Sequence, residues 1–248
     1  MERDFVVPKD FEDYAYVSQL LQARGMKTAN ESHRRAKPYC MGTLYWQFND
    51  CWPVTSWSSL DYYGNWKAFH YQAKRSFENL LFSVEEENDS YRIYIVNDDL
   101  KQYSGELVID LIDFNGTKLW NEKIIFIASE NSSKIHFEIP KKDFLAFNLK
   151  QAVLSVSFPP LEQIYTRHYF FKPKDLQITK PNIQIKIINE VTIEISSDVL
   201  AKDVFLSSEN EVFFEDNYFD LLPNEKRIIK FSKPMQNIKV KSLFDTMK

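Results

Sequence analysis

Residues 105–114 read Gly-Glu-Leu-Val-Ile-Asp-Leu-Ile-Asp-Phe, "GELVIDLIDF". Leu107, Ile109 and Leu111 alternate with Val108, Asp110 and Ile112, the two-residue period of a strand with one face on a core. Similar runs surround it: "YRIYIVN" from Tyr91, "TKLWNEKIIFI" from Thr117, "SKIHFEI" from Ser133, "QAVLSVSF" from Gln151 and "IYTRHYFF" from Ile164. Asn, Asp, Gly, Ser and Pro turns separate them. Half a dozen short strands at this spacing predict a β-sandwich. "FKPKDLQITKP", with Pro173 and Pro181, is a candidate linker. A second all-β run follows: "NIQIKIIN", "VTIEISS", "KDVFLSS", "EVFFED", "KRIIKFS" and "NIKVKSL".

Upstream of residue 82 the pattern is different. Asp10 is a plausible N-cap, and Tyr14, Val17, Leu20 and Leu21 make one helical face. Gly25 suits the position just past the end of a helix over 10–25. "KTANESHRRAK" reads as a second short helix stopped by Pro38. "YCMGTLYWQF", residues 39–48, is short, continuous and apolar, which predicts a buried strand. Asn49 to Gly64 is a loop, with Gly64 a turn glycine and Asn65 a helix cap. A further helix is expected from Trp66 to about Leu81, with Trp66, Phe69, Ala73, Phe77 and Leu80 on one face. Helix, strand and helix cannot close a sheet by themselves. The expected division is therefore 1–81, the end of an α/β domain, then sandwiches at 82–174 and 175–248.

The 248 residues are 44% hydrophobic and 15% aromatic, enough for real cores, and the net charge of −4 is mixed along the chain. That balance argues against nucleic acid and against an anionic membrane surface as partners. No apolar run approaches the roughly 20 residues of a membrane span, and the start has no signal-peptide core. Cys40 and Cys51 fit no metal spacing; they are expected to be two buried free thiols, with a bridge as the alternative. The four histidines, His33, His70, His136 and His168, are scattered, with no metal-ligand spacing.

The stretch "MGTLYWQFNDCWPVTSWSSLDYYGNWKAFHYQAKRSFENLL", from Met41, ends an apolar run in tryptophan, amide and carboxylate. It resembles the eighth strand, loop and helix of the barrel in β-mannosidases of glycoside hydrolase family 2. The string Trp46-Gln47-x-Asn49-Asp50-x-Trp52, then Ser-Trp-Ser-Ser and Gly-x-Trp-Lys, carries that resemblance. "FFEDNYFDLLPNEKRIIKF" and "IKVKSLFD" are similar to the family's last β-sandwich.

The resemblance implies a mostly β chain: two immunoglobulin-like β-sandwiches preceded by a helical remnant of a (β/α)8 TIM barrel. It implies a retaining exo-glycosidase that removes terminal β-D-mannose and needs no cofactor. Its partners would be a β-mannoside or mannose-containing oligosaccharide and the rest of the parent enzyme. The family points to a periplasmic, extracellular or lysosomal setting. Retaining glycosidases need two carboxyl groups about 5–5.5 Å apart. In this family both are glutamates after earlier barrel strands, so both are expected upstream of Met1 and none in this chain. Glu31 is expected instead to pair with Arg34 or Arg35.

The candidate substrate-binding residues are Trp46, Asn49, Asp50 and Trp52. Trp46 would offer a flat face to the sugar, with Trp46 and Trp52 as ordinary core or interface aromatics the alternative, and Asn49 would hydrogen-bond hydroxyls or position neighbouring loops. Asp50 would orient the loop or touch the sugar. Trp57 and Trp66 read as structural. His70 reads as a core or supporting residue, and Ser56, Ser58 and Ser59 lack a nucleophile-elbow glycine pattern. The resemblance also implies a cis Trp46–Gln47 peptide in the intact enzyme, with cis and trans both open here. Another family 2 glycosidase, a β-galactosidase or β-glucuronidase, is the alternative, as is a non-catalytic carbohydrate-binding sandwich.

Overall fold

The computed structural model describes residues 1–234 and 237–247. Helix α1 spans Phe11–Arg35. The Asp10 side chain caps it by accepting from the backbone N–H of Asp13 at 2.9 Å. Glu12 and Asp13 sit in its first turn and His33, Arg34 and Arg35 in its last, matching the helix dipole at both ends. The helix does not stop at Gly25. It runs through, so the two expected helices are one. A glycine alone ends a helix only where the chain needs a left-handed residue, and the buried stripe of Tyr16, Val17, Leu20 and Ala23 keeps α1 docked past that point.

Helix α2 is shorter than expected, Ala68–Ser76, and Lys67 rather than Asn65 occupies its N-cap. Phe69 and Ala73 are buried as expected, but Phe77 is exposed and Leu80 begins strand β1. The expected strand at 39–48 is also absent. That segment forms no ladder, and Leu44 is 99% exposed. A continuous apolar run needs strands on both sides to become a buried strand, and none flank this one among the described residues.

The first sandwich packs a three-stranded sheet on a four-stranded one. Strands β1 (Leu80–Glu87), β2 (Ser90–Asn97) and β5 (Ser132–Pro140) form the first, in the order β1-β2-β5. Strands β3 (Tyr103–Asp113), β4 (Lys118–Ala128), β6 (Ala152–Ser157) and β7 (Tyr165–His168) form the second, in the order β4-β3-β6-β7. In β3 the alternation puts Leu107, Ile109 and Leu111 in the core. They face Phe82, Ile93 and Ile95 from the other sheet, and Phe126 and Phe144 complete the core. Asp110, on the other face of β3, is buried too and pairs with Lys118 at 2.8 Å.

The second sandwich uses β8 (Ile183–Asn189), β9 (Thr192–Ser197) and β12 (Lys226–Lys230), in the order β12-β9-β8. Against them lie β10 (Ala201–Ser207), β11 (Phe219–Leu221) and β13 (Lys239–Lys241), in the order β11-β10-β13. Ile193, Ile195, Val204, Leu206, Leu221 and Ile229 fill the space between. "EVFFED" is not a strand; only Phe214 bridges to Phe231. The segment between the sandwiches is pinned rather than free. Leu176 is buried with Phe114, Val153, Leu200 and Leu222, residues contributed by both sandwiches. Helix α1 lies on this pair, its apolar stripe meeting Ala68 and Leu243.

Candidate functional site

The loop from Tyr39 to Trp66 carries all four candidate residues. Short backbone ties hold it. Ser59 N–H donates to the Gln47 carbonyl at 3.0 Å, Leu60 N–H to Phe48 at 2.9 Å and Lys67 N–H to Ser59 at 3.0 Å. Asn49 and Leu60 form an isolated parallel bridge. The Trp46–Gln47 peptide is cis. Gly64 turns the chain at φ 83°, a conformation that suits glycine.

Asp50 is the buried pivot of this loop. It is 3% exposed, and both carboxylate oxygens are occupied. Ser56 donates to Oδ1 at 2.5 Å, while Ser58 at 2.8 Å and the Lys67 ammonium at 3.2 Å reach Oδ2. The Ser56 hydroxyl, helped by Ser58 and Lys67, holds the Asp50 carboxyl below its usual pKa against the opposing effect of burial. A carboxylate so engaged is not free to attack or to donate a proton. These contacts tie residue 50 to residues 56, 58 and 67 of the same segment.

A second tie runs beneath. Ser59 is fully buried; its hydroxyl donates to the Phe48 carbonyl at 2.9 Å and lies 2.9 Å from Nδ1 of His70 and 3.1 Å from the Tyr45 hydroxyl. Burial lowers the His70 pKa. The Trp66 ring meets His70 edge-on at 4.2 Å and Phe213 at 4.9 Å. These contacts pack His70 and Trp66 against the loop and the second sandwich, and Ser59 has no exposed surface.

The remaining candidates point outward. Trp46 is 75% exposed and Trp52 is 65% exposed. Asn49 is exposed and its amide donates to the Asp50 carbonyl at 3.2 Å. Trp57, expected to be structural, is exposed as well, although its carbonyl accepts from Gln22. The structure thus brings Asp50, Ser56, Ser58 and Lys67 together and leaves three of the four candidates on one solvent-facing loop. The involvement of Lys67 was missed, because its partner lies 17 residues away and no spacing rule links them.

Other expectations are corrected. Glu31 is buried and binds Lys27 and the Ser83 hydroxyl, not Arg34 or Arg35. Arg34 instead donates to the Ser76 carbonyl and pairs with Asp98. Cys40 and Cys51 are free, but neither is buried; Cys51 is exposed. Among the described residues, no group of three or more His, Cys, Asp or Glu is placed to hold a metal. Nor is any helix there long and apolar enough to cross a membrane.

Residues 89–175 match the model of the mannosidase Ig/CBM-like domain, and residues 178–246 match that of a mannosidase Ig-fold domain. The two sandwiches are therefore immunoglobulin-like. The chain resembles the C-terminal part of β-mannosidases. The mouse β-mannosidase is 28% identical over 96% of this chain and 30% of its own length. The goat β-mannosidase is 45% identical over 36% of this chain and 11% of its own length. The solved β-D-mannosidase of Dictyoglomus thermophilum superposes with a TM-score of 0.85 at 28% identity, covering 96% of this chain and 31% of that one. The exo-chitosanase CsxA of Amycolatopsis orientalis, at 15% identity and a TM-score of 0.68, shares the fold. This chain spans about 30% of the length of the mouse relative.

Proposed function

We propose that this chain is the C-terminal part of a retaining, exo-acting β-mannosidase of glycoside hydrolase family 2. In this reading residues 1–81 are the remnant of its TIM barrel, and 82–174 and 175–248 are its last two sandwiches; β1 already begins at Leu80. The observation that carries the reading is the loop at 39–66. A buried, fully engaged Asp50 holds it, yet Trp46, Asn49 and Trp52 face outward. Active sites of such barrels open at the C-terminal ends of the strands, and an exposed indole there is a stacking face for a sugar ring. Trp46 would line the sugar subsite, with Asn49 and Trp52 beside it and Asp50 fixing their loop.

Two carboxyl groups perform retaining hydrolysis. The loop carries two carboxylates and both are engaged, Asp50 by Ser56, Ser58 and Lys67 and Asp61 by the backbone N–H groups of Tyr63 and Asn65 and the Asn65 amide. The acid/base and the nucleophile would come from earlier barrel strands, and this chain alone is inactive. Incubating the chain with an aryl β-mannoside tests that: no turnover above buffer is expected. Turnover abolished by Asp50→Asn or Glu31→Gln would overturn the reading. In a longer polypeptide that does hydrolyse β-mannosides, Trp46→Ala should cut kcat/KM more than Trp57→Ala. Equal effects would remove Trp46 from the sugar site.

A further inference from the structure

The order Asn-x-Ser/Thr, the acceptor pattern for an N-linked glycan, occurs at four places: Asn30-Glu31-Ser32, Asn88-Asp89-Ser90, Asn115-Gly116-Thr117 and Asn131-Ser132-Ser133. A glycan is bulky and hydrated, so a folded chain carries one only where the asparagine reaches water. The fold separates the four. Asn30 lies inside α1 and is fully buried. The other three are exposed, and each sits in a turn of the first sandwich: Asn88 between β1 and β2, Asn115 between β3 and β4, and Asn131 between β4 and β5.

Other groups hold these turns. The Asp113 carboxylate accepts from the backbone N–H groups of Asn115 and Thr117 at 2.9 and 2.8 Å, and Gly116 N–H donates to the Asp113 carbonyl at 3.0 Å. Asn88 and Asn131 have φ of 47° and 44°, a conformation that asparagine tolerates better than most residues. Asn131 N–H donates to the Asp99 carbonyl at 3.1 Å, and its Oδ1 accepts from Lys37 at 2.9 Å. Among the described residues Nδ2 of none of the three has a hydrogen-bond partner, so the atom that a glycan takes is free in each.

Two of the turns, at Asn115 and Asn131, bracket β4. That strand is an edge of its sheet, pairing only with β3 among the described residues, and it exposes Ile125 and Ile127. Lysines often guard such an edge against another chain. Here they are drawn inward onto β3, Lys118 to Asp110 at 2.8 Å and Lys123 to Glu106 at 2.7 Å.

We propose that Asn88, Asn115 and Asn131 carry N-linked glycans, and that those at Asn115 and Asn131 screen the open edge of β4. In the transfer, Nδ2 attacks the anomeric carbon of a lipid-linked oligosaccharyl diphosphate. The new C–N bond replaces the bond from that carbon to the diphosphate oxygen. The lipid diphosphate leaves with the electron pair, and Nδ2 gives up one proton. A chain modified at Asn30 could not bury that residue in the docked α1, so no folded molecule carries a glycan there. The inference rests on the extracellular or lysosomal setting that the family resemblance implies, and not on the sugar subsite at Trp46.

The test secretes the whole chain from cultured eukaryotic cells behind a cleavable leader. Enzymatic deglycosylation in heavy-oxygen water converts each glycosylated asparagine to a labelled aspartate. Peptide mapping of the folded protein should find the label at Asn88, Asn115 and Asn131 and none at Asn30. Thr117→Ala should remove the label at Asn115 alone. An unlabelled Asn88, Asn115 or Asn131, or a label on Asn30, would overturn the assignment. The same map of the protein from its native cells separates the sites from the setting: bare asparagines there, with labels behind the leader, would overturn the setting on which the proposal rests. For the edge, Thr117→Ala with Ser133→Ala removes both acceptor patterns and keeps both asparagines. Sedimentation should show that secreted double variant associating at concentrations where the glycosylated chain does not, and a further Ile125→Lys should suppress the association. Equal sedimentation of the double variant and the glycosylated chain would overturn the screening of β4.

Discussion

In the first sandwich Phe82, Phe126 and Phe144 are fully buried, while on the loop Tyr39, Trp46, Phe48, Trp52 and Trp57 are exposed. The residue types are alike and their uses are opposite. The sandwich keeps its shape by removing apolar surface from water, with its backbone paired strand to strand. The loop has almost no ladder. It keeps its shape through buried polar ties around Asp50 and Ser59, and the aromatics are left over. Large exposed apolar side chains gathered on one short segment are the residue types that interaction sites of proteins use.

The largest effect should separate the two regions directly. Leu154 is fully buried in the first sandwich, so Leu154→Ala should cost about 2–5 kcal/mol of unfolding free energy. Leu44 has almost its whole side chain in water, and Leu44→Ala should stay within about 0.5 kcal/mol. Urea unfolding followed by far-UV circular dichroism measures both. Similar losses at the two positions would mean that the loop is buried in solution, by a second copy or otherwise.

This contrast also explains what the sequence could be made to say. The sandwich strands were legible because each alternates and pairs with near neighbours: β3 reads as a strand from Leu107, Ile109 and Leu111 alone. Strand β1 was not legible, since "LLFSV" continues the apolar spacing of α2 and only its register with β2 marks it as a strand. The run at 39–48 misled in the other direction. Its hydrophobicity predicts burial, but burial depends on neighbours that the local pattern does not contain. At the site, the residue types around Trp46 were readable from the motif. The anchoring of Asp50 by Lys67 was not, because it is made by the fold of the loop.

A smaller effect tests how tightly the sandwich side of the comparison is filled. An added Cβ at Gly105 would lie 2.6 Å from Cε2 of Phe158, whose ring packs edge-on to Phe126 at 5.2 Å. The ring cannot swing away without disturbing that contact. Gly105→Ala should therefore cost about 1–3 kcal/mol, the usual range for overpacking. An unchanged urea midpoint would show that Phe158 has room to move.

On the loop side the corresponding test is electrostatic. The folded Asp50 pKa is depressed, so its contribution is fully present above the unfolded value of about 3.9 and fades as pH falls through the lower folded value. Four of the five tryptophans, Trp46, Trp52, Trp57 and Trp66, lie on or beside the loop. Tryptophan emission should stay constant from neutral pH to about 5 and change below about 4. Asp50→Asn should remove that step and speed proteolytic cutting within 39–66, while the sandwiches keep their urea midpoint. A step that persists in Asp50→Asn would place its origin elsewhere.

The smallest effect carries the opposite sign and concerns the helix that joins the two regions. Gly25 lies inside α1, ten residues before its end, and a Cβ built there meets nothing within 4 Å. Its backbone is helical and shows no positive φ. Nothing in the packing requires a glycine there, and a glycine inside a helix costs about 0.5–1 kcal/mol relative to alanine through the freedom it has when unfolded. Gly25→Ala should therefore stabilise the chain by about that amount. The gain should appear in the urea midpoint only if α1 unfolds together with the sandwiches it lies on. The buried stripe of Tyr16, Val17, Leu20 and Ala23 predicts that it does. If the midpoint does not move while the helical signal melts separately, α1 belongs with the loop rather than with the sandwiches, and the boundary between the two regions shifts to Leu80.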